Sequence, residues 1–266
     1  MKQRILDHLP RNHPWAGSLH YFDTIDSTNT EAKRLAAAGA PHGTVLIAGH
    51  QTGGRGRMGR SFHSPAGLGI YLSVILRPEC APGDLMHLTC AAAVAMCDAV
   101  ENAAGFRPGI KWTNDLVYGK RKLGGILTEL AFGSSGRVDY AVIGIGINCR
   151  HGLIDFPEEI RKIAGSLSMA AAAPVDTARV AAAMIMALHA MDHDLLTQKS
   201  ALMNRYRADC ITLGREISVH RFDEIRHGTA VDLDDDGGLV VRFSDGHTET
   251  VSSGEVSVRG MYGYAE

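Results

Sequence analysis

Cysteine is scarce in this 266-residue chain, and its placement excludes two classes of protein. The five cysteines are an odd number, and no two of them form a C-x-x-C motif. A disulfide framework and a zinc ribbon both need paired or closely spaced cysteines, so the sequence predicts neither. We therefore expect the protein to be cytoplasmic, where thiols stay reduced.

An N-terminal targeting signal is also missing, and polar residues and a proline interrupt the longest alanine-rich part of the chain. The first 15 residues contain no apolar core of the kind that a signal peptide needs. The longest alanine-rich stretch, residues 169–191, is interrupted by Pro174, Asp176 and Arg179. The sequence thus predicts no export signal and no association with a membrane.

Several catalytic signatures are absent as well. Neither G-x-S-x-G nor H-E-x-x-H occurs in the chain, and nothing indicates a covalent serine or cysteine nucleophile. His189 and His193 lie four residues apart on a predicted helix, but no third ligand accompanies them. We therefore predict no metal ligands on the protein itself.

The hydrophobic pattern that is present predicts an α/β (α+β) chain with two domains. Hydrophobic residues make up 45% of the chain and charged residues 21%, which is typical of a globular protein. The pattern predicts a long helix over 84–104, a β-meander over 109–149 and alanine-rich helices over 157–209. We expect a larger α/β domain over 1–213 and a small β-barrel over 214–266.

The predicted barrel is acidic. It has five arginines, no lysine and eleven acidic residues, a net charge of −6, whereas the whole chain has a net charge of −2. Contacts with phosphates supply most of the non-specific affinity for nucleic acids. We therefore expect no nucleic-acid partner.

The first candidate functional segment is D-S-T-N at 26–29. It follows a predicted strand over 19–25, and Thr28 followed by Glu31 predicts a capping box that opens a helix. The polar side chains of this segment would serve either as a helix cap with spare hydroxyls or as short donors for a neutral polar ligand.

The second segment contains four glycines and three arginines within residues 53–60. It fits both G-x-G-x-x-G and a P-loop with Arg60 in place of lysine. Both motifs need a following helix, because the amides at its N-terminus bind phosphate. Strands are predicted on either side, over 44–49 and 68–76. The segment is therefore either a solvated turn or a loop that binds an anion with its own amides and arginines, and the repulsion among its cations favours the second.

The third segment spans residues 111–125. Lys122 is either an ordinary surface lysine or a point charge for a phosphate or carboxylate. Gly124 and Gly125 favour the second, because they let a ligand approach the backbone of a strand. The run G-I-G-I-N at 144–148 also places glycines within a strand, although this signal is weak. Strand ends gather around one cleft in open α/β folds, so we expect these segments to meet.

Together these segments resemble the biotin protein ligase family, the biotin-[acetyl-CoA-carboxylase] ligases. D-S-T-N, Q-T-G-G-R-G-R-M-G-R, K-W-T-N-D with G-K-R-K-L-G-G, and G-I-G-I-N occur in the family's order over about 120 residues. The resemblance implies a mixed-sheet catalytic domain and a small Src-homology-3-like C-terminal barrel. It also implies an ATP-dependent enzyme that uses MgATP to convert biotin into biotinyl-5'-AMP. Biotin then passes to a lysine of a biotin carboxyl carrier protein.

The resemblance also implies roles for individual residues. The biotin-binding residues would be Ser27, Thr28, Asn29, Gln51, Gly54, Arg55, Gly56, Arg57, Lys122 and Gly125. The ATP and adenylate-binding residues would be Arg57, Arg60, Phe62, Lys111, Asn114, Lys122 and Asn148. The catalytic residues would be Arg57, Lys122 and Asp115. Asp115 would either orient or deprotonate the carrier lysine, or have the purely structural role of capping the turn before L-V-Y-G.

Two departures from the family pattern and two alternative functions accompany this interpretation. Phe62 stands where the family usually has tryptophan, and Thr113 where it usually has proline. About 25 residues precede D-S-T-N, which leads us to expect no operator-binding winged helix. Many family members pair through sheet edges, so a homodimer is a further hypothesis. A lipoate or octanoate transferase of the same fold and a non-catalytic biotin sensor are the alternative functions.

Overall fold

A computed structural model describes residues 1–134, 136–221, 224–252 and, for the backbone, 257–260. Its first half contains α1 (Lys2–His8), β1 (Leu19–Phe22), α2 (Thr28–Ala37), β2 (Thr44–Ala48), β3 (Gly69–Leu76), α3 (Leu88–Ala104), β4 (Gly109–Lys111), β5 (Asp115–Tyr118) and β6 (Arg121–Phe132). The remainder contains β7 (Val138–Asn148), α4 (Glu158–Arg161), α5 (Leu167–Ala171), α6 (Thr177–Asp194), α7 (Lys199–Asp209), β8 (Glu216–Arg221), β9 (Glu224–Leu233), β10 (Leu239–Phe243), β11 (Thr248–Val251) and β12 (Ser257–Gly260).

A seven-stranded mixed sheet forms the centre of the molecule. Its order is β1-β2-β3-β7-β6-β5-β4; β1 and β2 are parallel and the other neighbours are antiparallel. The strands β4 to β7 are joined in sequence, which confirms the predicted meander. A sheet with helices packed against it is the fold class that the sequence predicts.

Helix α3 packs in the core, and most of its apolar residues are buried. It ends at Gly105, whose φ of 78° favours glycine because a Cβ atom is strained there. The stretch Pro82–Ala104 is long and apolar enough to cross a membrane, but 72% of its most apolar window is buried within the protein. This is the pattern of a core helix.

The start of α2 differs from the predicted capping box. Ser27, in extended conformation, is the N-cap and accepts a hydrogen bond from Thr30 N. Thr28 is already the first helical residue, so its side chain is free to point toward β3. Glu31 pairs instead with Arg34. The prediction placed the cap one residue too late.

The second sheet is antiparallel, with the order β11-β10-β9-β8-β12, as the alternating pattern after Gly214 predicts. Its buried residues, such as Val219 and Leu239, belong to the same hydrophobic cluster as the core of the larger sheet. Trp112 Nε1 donates to Gly237 O across the two sheets at 2.9 Å. The domain boundary between residues 213 and 214 stays a prediction.

Candidate active site

A cavity of about 500 Å³ lies where the predicted functional segments meet. The predicted site residues that line it are Ser27, Thr28, Asn29, Gln51, Arg55, Gly56, Arg57, Arg60, Phe62, Lys111, Asn114, Asp115, Lys122, Gly125 and Asn148. Gly54 is not among the described lining residues. A Cβ atom on Gly54 would lie 2.5 Å from both Phe62 O and Ser64 Oγ, so this glycine allows the loop to fold closely on itself.

Hydrogen bonds connect the start of α2 to the arginine loop, the segment 51–65 that contains Arg55, Arg57 and Arg60. Thr28 N donates to Gln51 Oε1 at 2.8 Å, and Gln51 Nε2 donates to Ser64 Oγ at 3.0 Å. Ser64 Oγ in turn donates to Phe62 O at 2.9 Å. One corner of the cavity is thus built from two segments that are more than twenty residues apart in the chain.

The arginine loop folds as a short 3₁₀ turn over Arg57–Gly59 and then leads into β3. Gly56 N donates to Arg60 O at 2.7 Å, which closes this turn. Met58 at its tip has a φ of 54° and is 66% exposed. No α-helix of either phosphate motif follows the loop before β3, as the sequence predicts.

Arg57 reaches from the loop to the strands opposite. Its Nη1 donates to Asn114 Oδ1 at 3.0 Å. Burial lowers the pKa of the Arg57 guanidinium. The negative charge of Asp115 opposes this shift, and the positive charge of Arg60 adds to it. The cation is thus held in a partly dehydrated position, where an anion is bound more strongly than in water.

Lys122 and Asp115 form an ion pair on the same face of the sheet, with Nζ and Oδ1 2.6 Å apart. Asp115 is opposite Gly125, whereas Lys122 is opposite Val117, and the register shifts between these pairs. One extra residue on β6 makes a β-bulge, which brings the Lys122 side chain to the same face as Asp115. The cavity therefore has two fixed cations, Arg57 and Lys122, near one carboxylate.

Comparison with known proteins identifies the family of this fold and cavity. The bifunctional ligase/repressor BirA of Bacillus subtilis is 36% identical over 229 residues, which cover 86% of this chain and 70% of that protein. The biotin--[acetyl-CoA-carboxylase] ligase of Mycobacterium tuberculosis is 35% identical and aligns over 86% of this chain and 85% of that one. The chain belongs to the biotin protein ligase family. The resemblance seen in the sequence is thereby confirmed.

Domain models and solved structures agree with this assignment. The biotin/lipoate A/B protein ligase family model matches residues 21–148, and the biotin protein ligase C-terminal domain model matches residues 212–259. The biotin protein ligase of Aquifex aeolicus in complex with biotin and ATP superposes with a TM-score of 0.77 at 27% identity. That match covers 91% of this chain and 99% of the Aquifex chain.

One wall of the cavity consists of residues that were not predicted from the sequence. It is formed by the apolar residues Phe156, Ile160, Ile163 and Ala164. The wall is tied to β6, because Lys122 N donates to Ile163 O at 2.7 Å. The alanine-rich pattern after residue 157 predicts helices there, and α4 is only four residues long. Apolar side chains in so irregular a segment are the signal that was missed.

Close contacts with other side chains explain why both glycines of G-I-G-I-N lack a Cβ atom. A Cβ atom on Gly144 would overlap the Asn29 carboxamide, and one on Gly146 would overlap the Phe62 ring. Both glycines line the cavity, whereas Asn148 is the one residue of this strand that was predicted to bind a ligand. The side chain of Asn148 is turned to the protein, since Nδ2 donates to Gly165 O at 3.0 Å.

Trp112 is a further lining residue, and it is not among the predicted site residues. Its backbone N donates to Thr212 Oγ1 at 2.9 Å. The next peptide bond, Trp112–Thr113, is cis, and Thr113 O accepts from Tyr206 OH at 3.0 Å. Contacts with α7 and the chain that follows it therefore hold this part of the cavity.

His189 lies beside one other histidine, and His193 is exposed. The His189 ring packs edge-on against His13 and Trp15, with ring centroids 5.0 and 5.2 Å away. Across the described ranges, no group of three or more His, Cys, Asp or Glu residues is arranged to hold a metal ion.

Proposed function

We propose that this chain is an ATP-dependent biotin protein ligase that forms biotinyl-5'-AMP and transfers biotin to a lysine of a biotin carboxyl carrier protein. The observation that carries the proposal is the convergence of Arg57, Lys122 and the D-S-T-N segment on one cavity. Family membership supports it, as does the similarity to a ligase solved with biotin and ATP.

The first step joins two anions. The carboxylate of biotin attacks the α-phosphorus of ATP, the bond to the β-phosphate oxygen breaks, and pyrophosphate leaves. Arg57 and Lys122 would neutralise the charges that approach one another, and their fixed positions beside Asn114 and Asp115 support this role. One preorganised donor of this kind contributes on the order of 3 kcal/mol to lowering such a barrier.

We propose that Mg²⁺ enters with ATP. This ion is commonly held by substrate phosphates together with one or two carboxylates, and it neutralises phosphate charge when bound. Asp115 is the carboxylate among the described lining residues, and its Oδ1 is also the partner of Lys122. The residues present therefore fit an ion that arrives with its phosphates better than a preformed protein cage.

The second step transfers biotin to the carrier. A neutral lysine amine attacks the acyl carbon of the adenylate, AMP leaves, and the amine loses one proton. Asp115 has two proposed roles, as the group that accepts this proton or as the group that orients Lys122. The ion pair at 2.6 Å supports the orienting role.

The proposal also covers the partner, the location and the oligomeric state of this chain. We propose that the partner is a carrier domain, whose modified lysine must reach the cavity. The acidic C-terminal part disfavours nucleic acid, and we propose no DNA binding, although relatives named ligase/repressor are matched. A cytoplasmic location and a homodimer complete the proposal.

Two alternative functions differ in what the chain would bind or turn over. The first is a lipoate or octanoate transferase, which the larger family model also includes. The match of residues 212–259 to the biotin protein ligase C-terminal domain favours biotin. The second is a non-catalytic biotin sensor, which would have no need for the paired cations Arg57 and Lys122.

Adenylate formation by the purified protein tests the proposal. The protein is incubated with Mg²⁺, ATP and either labelled biotin or labelled lipoate, and acyl-adenylate and pyrophosphate are measured. We expect biotinyl-5'-AMP, and we expect EDTA to abolish it and added Mg²⁺ to restore it. Adenylation of lipoate alone would identify the alternative enzyme, and bound biotin without adenylate would identify the sensor.

A further inference from the structure

Ser73 is a buried polar residue of β3 to which the proposed mechanism gives no role. It has 0% exposure, and its hydroxyl lies directly beneath two cavity residues. Ser73 Oγ is 2.8 Å from Thr28 Oγ1 and 2.7 Å from Asn29 Oδ1. A hydroxyl has one hydrogen, so Ser73 can donate to only one of these two oxygens.

The Asn29 carboxamide has one possible orientation. Its Nδ2 donates to Glu129 Oε2 at 3.0 Å and to Leu127 O at 3.3 Å. A carboxylate and a carbonyl accept hydrogen bonds and cannot donate them, which places the amide nitrogen on that side. Lys33 Nζ donates to the other carboxylate oxygen, Glu129 Oε1, at 2.7 Å. Asn29 Oδ1 must therefore point to Ser73.

The Gln51 carboxamide is fixed in the same way. Thr28 N is a donor and lies 2.8 Å from Gln51 Oε1, so this atom is the oxygen. Gln51 Oε1 is also 3.1 Å from Thr28 Oγ1. Four oxygens thus form a row, in the order Asn29 Oδ1, Ser73 Oγ, Thr28 Oγ1 and Gln51 Oε1, and both ends of this row are acceptors.

A count of hydrogens then sets the direction of the row. It has three oxygen–oxygen contacts but two hydroxyl hydrogens, because Ser73 and Thr28 carry one each. Gln51 Oε1 already accepts from Thr28 N, whereas within the described structure Ser73 is the one donor found for Asn29 Oδ1. The two shorter contacts are therefore the hydrogen bonds: Ser73 donates to Asn29, and Thr28 donates to Ser73.

We propose that Ser73 is a positioning residue that makes Thr28 a hydrogen-bond acceptor for a ureido N–H of biotin. With its hydrogen committed to Ser73, Thr28 Oγ1 can only accept from a ligand. The fused ring of biotin is a cyclic urea with two N–H donors and one carbonyl acceptor. This inference rests on the proposed function and adds a residue that selects a ligand with a donor at this position.

Variants of Ser73 provide the first test, with binding of biotin and ATP measured separately by calorimetry. Ser73→Ala removes the hydroxyl, and Ser73→Cys fills the same space with a thiol that is a weak donor and acceptor. We expect both to weaken biotin binding roughly tenfold, since one hydrogen bond is lost, with ATP binding unchanged. A Cys variant with wild-type affinity would show a packing role and overturn the inference.

A matched control is available at Ser168. Its hydroxyl is also buried, has no hydrogen-bond partner in the described part of the chain, and does not belong to the described cavity lining. We expect Ser168→Ala to leave biotin affinity unchanged. An equal loss in this variant would show that the Ser73 effect is unspecific, and would contradict the inference.

A biotin analogue tests the direction of the hydrogen bond itself. In a cyclic carbamate analogue, a ring oxygen replaces one ureido N–H and turns a donor into an acceptor. The wild-type protein should bind one of the two isomers about a hundredfold more weakly than biotin, since two acceptors then face each other. In Ser73→Ala the Thr28 hydroxyl can turn and donate, so we expect that penalty to shrink roughly tenfold.

The two proposals fail in distinguishable ways. A wild-type protein that does not bind biotin would contradict the proposed function and this inference together. A wild-type protein that binds and adenylates biotin, with the same analogue penalty in the Ser73→Ala variant, would overturn the role of Ser73 alone.

Discussion

Lys122 Nζ and Asp115 Oδ1 lie 2.6 Å apart on neighbouring strands of the central sheet, at the wall of the cavity. The β-bulge between them is what allows the contact, because it places both side chains on one face. The two side chains keep only 29% and 17% exposure, so the pair is partly shielded from solvent. Lys122 is consequently held in place before any substrate arrives.

Replacement of Lys122 should slow the first step. We expect Lys122→Ala to reduce the rate of adenylate formation by about a hundredfold, since a preorganised cation of this kind contributes on the order of 3 kcal/mol. Single-turnover measurement of pyrophosphate release gives this rate. Lys120→Ala, in the exposed turn two residues earlier, is the matched control and should keep the wild-type rate. A folded Lys122→Ala protein with an unchanged rate would exclude the proposed role.

Replacement of Asp115 distinguishes its two proposed roles. If Asp115 orients Lys122, Asp115→Asn should slow adenylate formation roughly tenfold, because the lysine loses a charged hydrogen-bond partner. Transfer from preformed biotinyl-5'-AMP should slow to a similar degree. A variant with normal adenylate formation and slow transfer would instead identify Asp115 as the group that receives the proton of the carrier lysine.

The arginine loop should be protected when the site is filled. Its cations repel one another, and Arg60 and the tip residue Met58 are exposed. Closure on the adenylate would join these cations through an anion and order the backbone. We expect trypsin to cleave within residues 53–65 more slowly when biotin and ATP are present. Equal cleavage with and without both ligands would count against this closure.

Because His151 is buried without hydrogen-bond partners among the described residues, we expect the free energy of unfolding to fall in acid. Its ring stacks on Phe156 of the cavity wall, and neither ring nitrogen has a hydrogen-bond partner in the structure described. Burial lowers the pKa of His151 from 6.5 to about 4, helped by His63 and opposed by Asp155. The unfolded chain therefore takes up a proton between pH 6.5 and pH 4 that the folded chain excludes, and the folded state loses about 3 kcal/mol over this range.

Urea denaturation of His151→Phe at pH 7 and pH 4.5 measures this loss. The variant keeps an aromatic ring over Phe156, and its free energy of unfolding should fall less between these pH values than that of the wild-type protein. His13 and His87 also have lowered pKa values, so the comparison between variant and wild type isolates His151. Exposed His193 provides the control, and His193→Gln should behave as wild type. The same pH dependence in all three proteins would contradict the assignment.

Local patterns predict much of this fold. The strands on both sides of the arginine loop, the helix that ends at Gly105 and the meander over 109–149 all depend on side-chain spacing and on glycine. The polar segments meet at strand ends, as α/β folds generally arrange them. Thr28 shows the limit at the scale of one residue. Its hydroxyl bonds to Ser73 on β3 and its backbone N–H to Gln51 after β2, and the neighbouring sequence cannot indicate either contact.

Some residues in or beneath the cavity could not be predicted from the sequence, because tertiary contacts bring them there. Ser73 occurs in an apolar strand pattern, and its importance is visible only when Thr28 and Asn29 are placed above it. Phe156 and Ile160 lie in a segment without regular periodicity, and the backbone bond from Lys122 to Ile163 brings that segment over the cavity. The bulge in β6 is likewise set by pairing with β5 rather than by a motif.

Transfer of biotin to a carrier domain tests the central claim most directly. The purified protein is incubated with Mg²⁺, ATP, labelled biotin and a biotin carboxyl carrier domain, and a second reaction uses the same domain with its acceptor lysine replaced by arginine. We expect label on the wild-type domain and none on the domain whose acceptor lysine is replaced. An unlabelled wild-type domain in the presence of intact protein, or label that arrives from lipoate or octanoate instead of biotin, would contradict it.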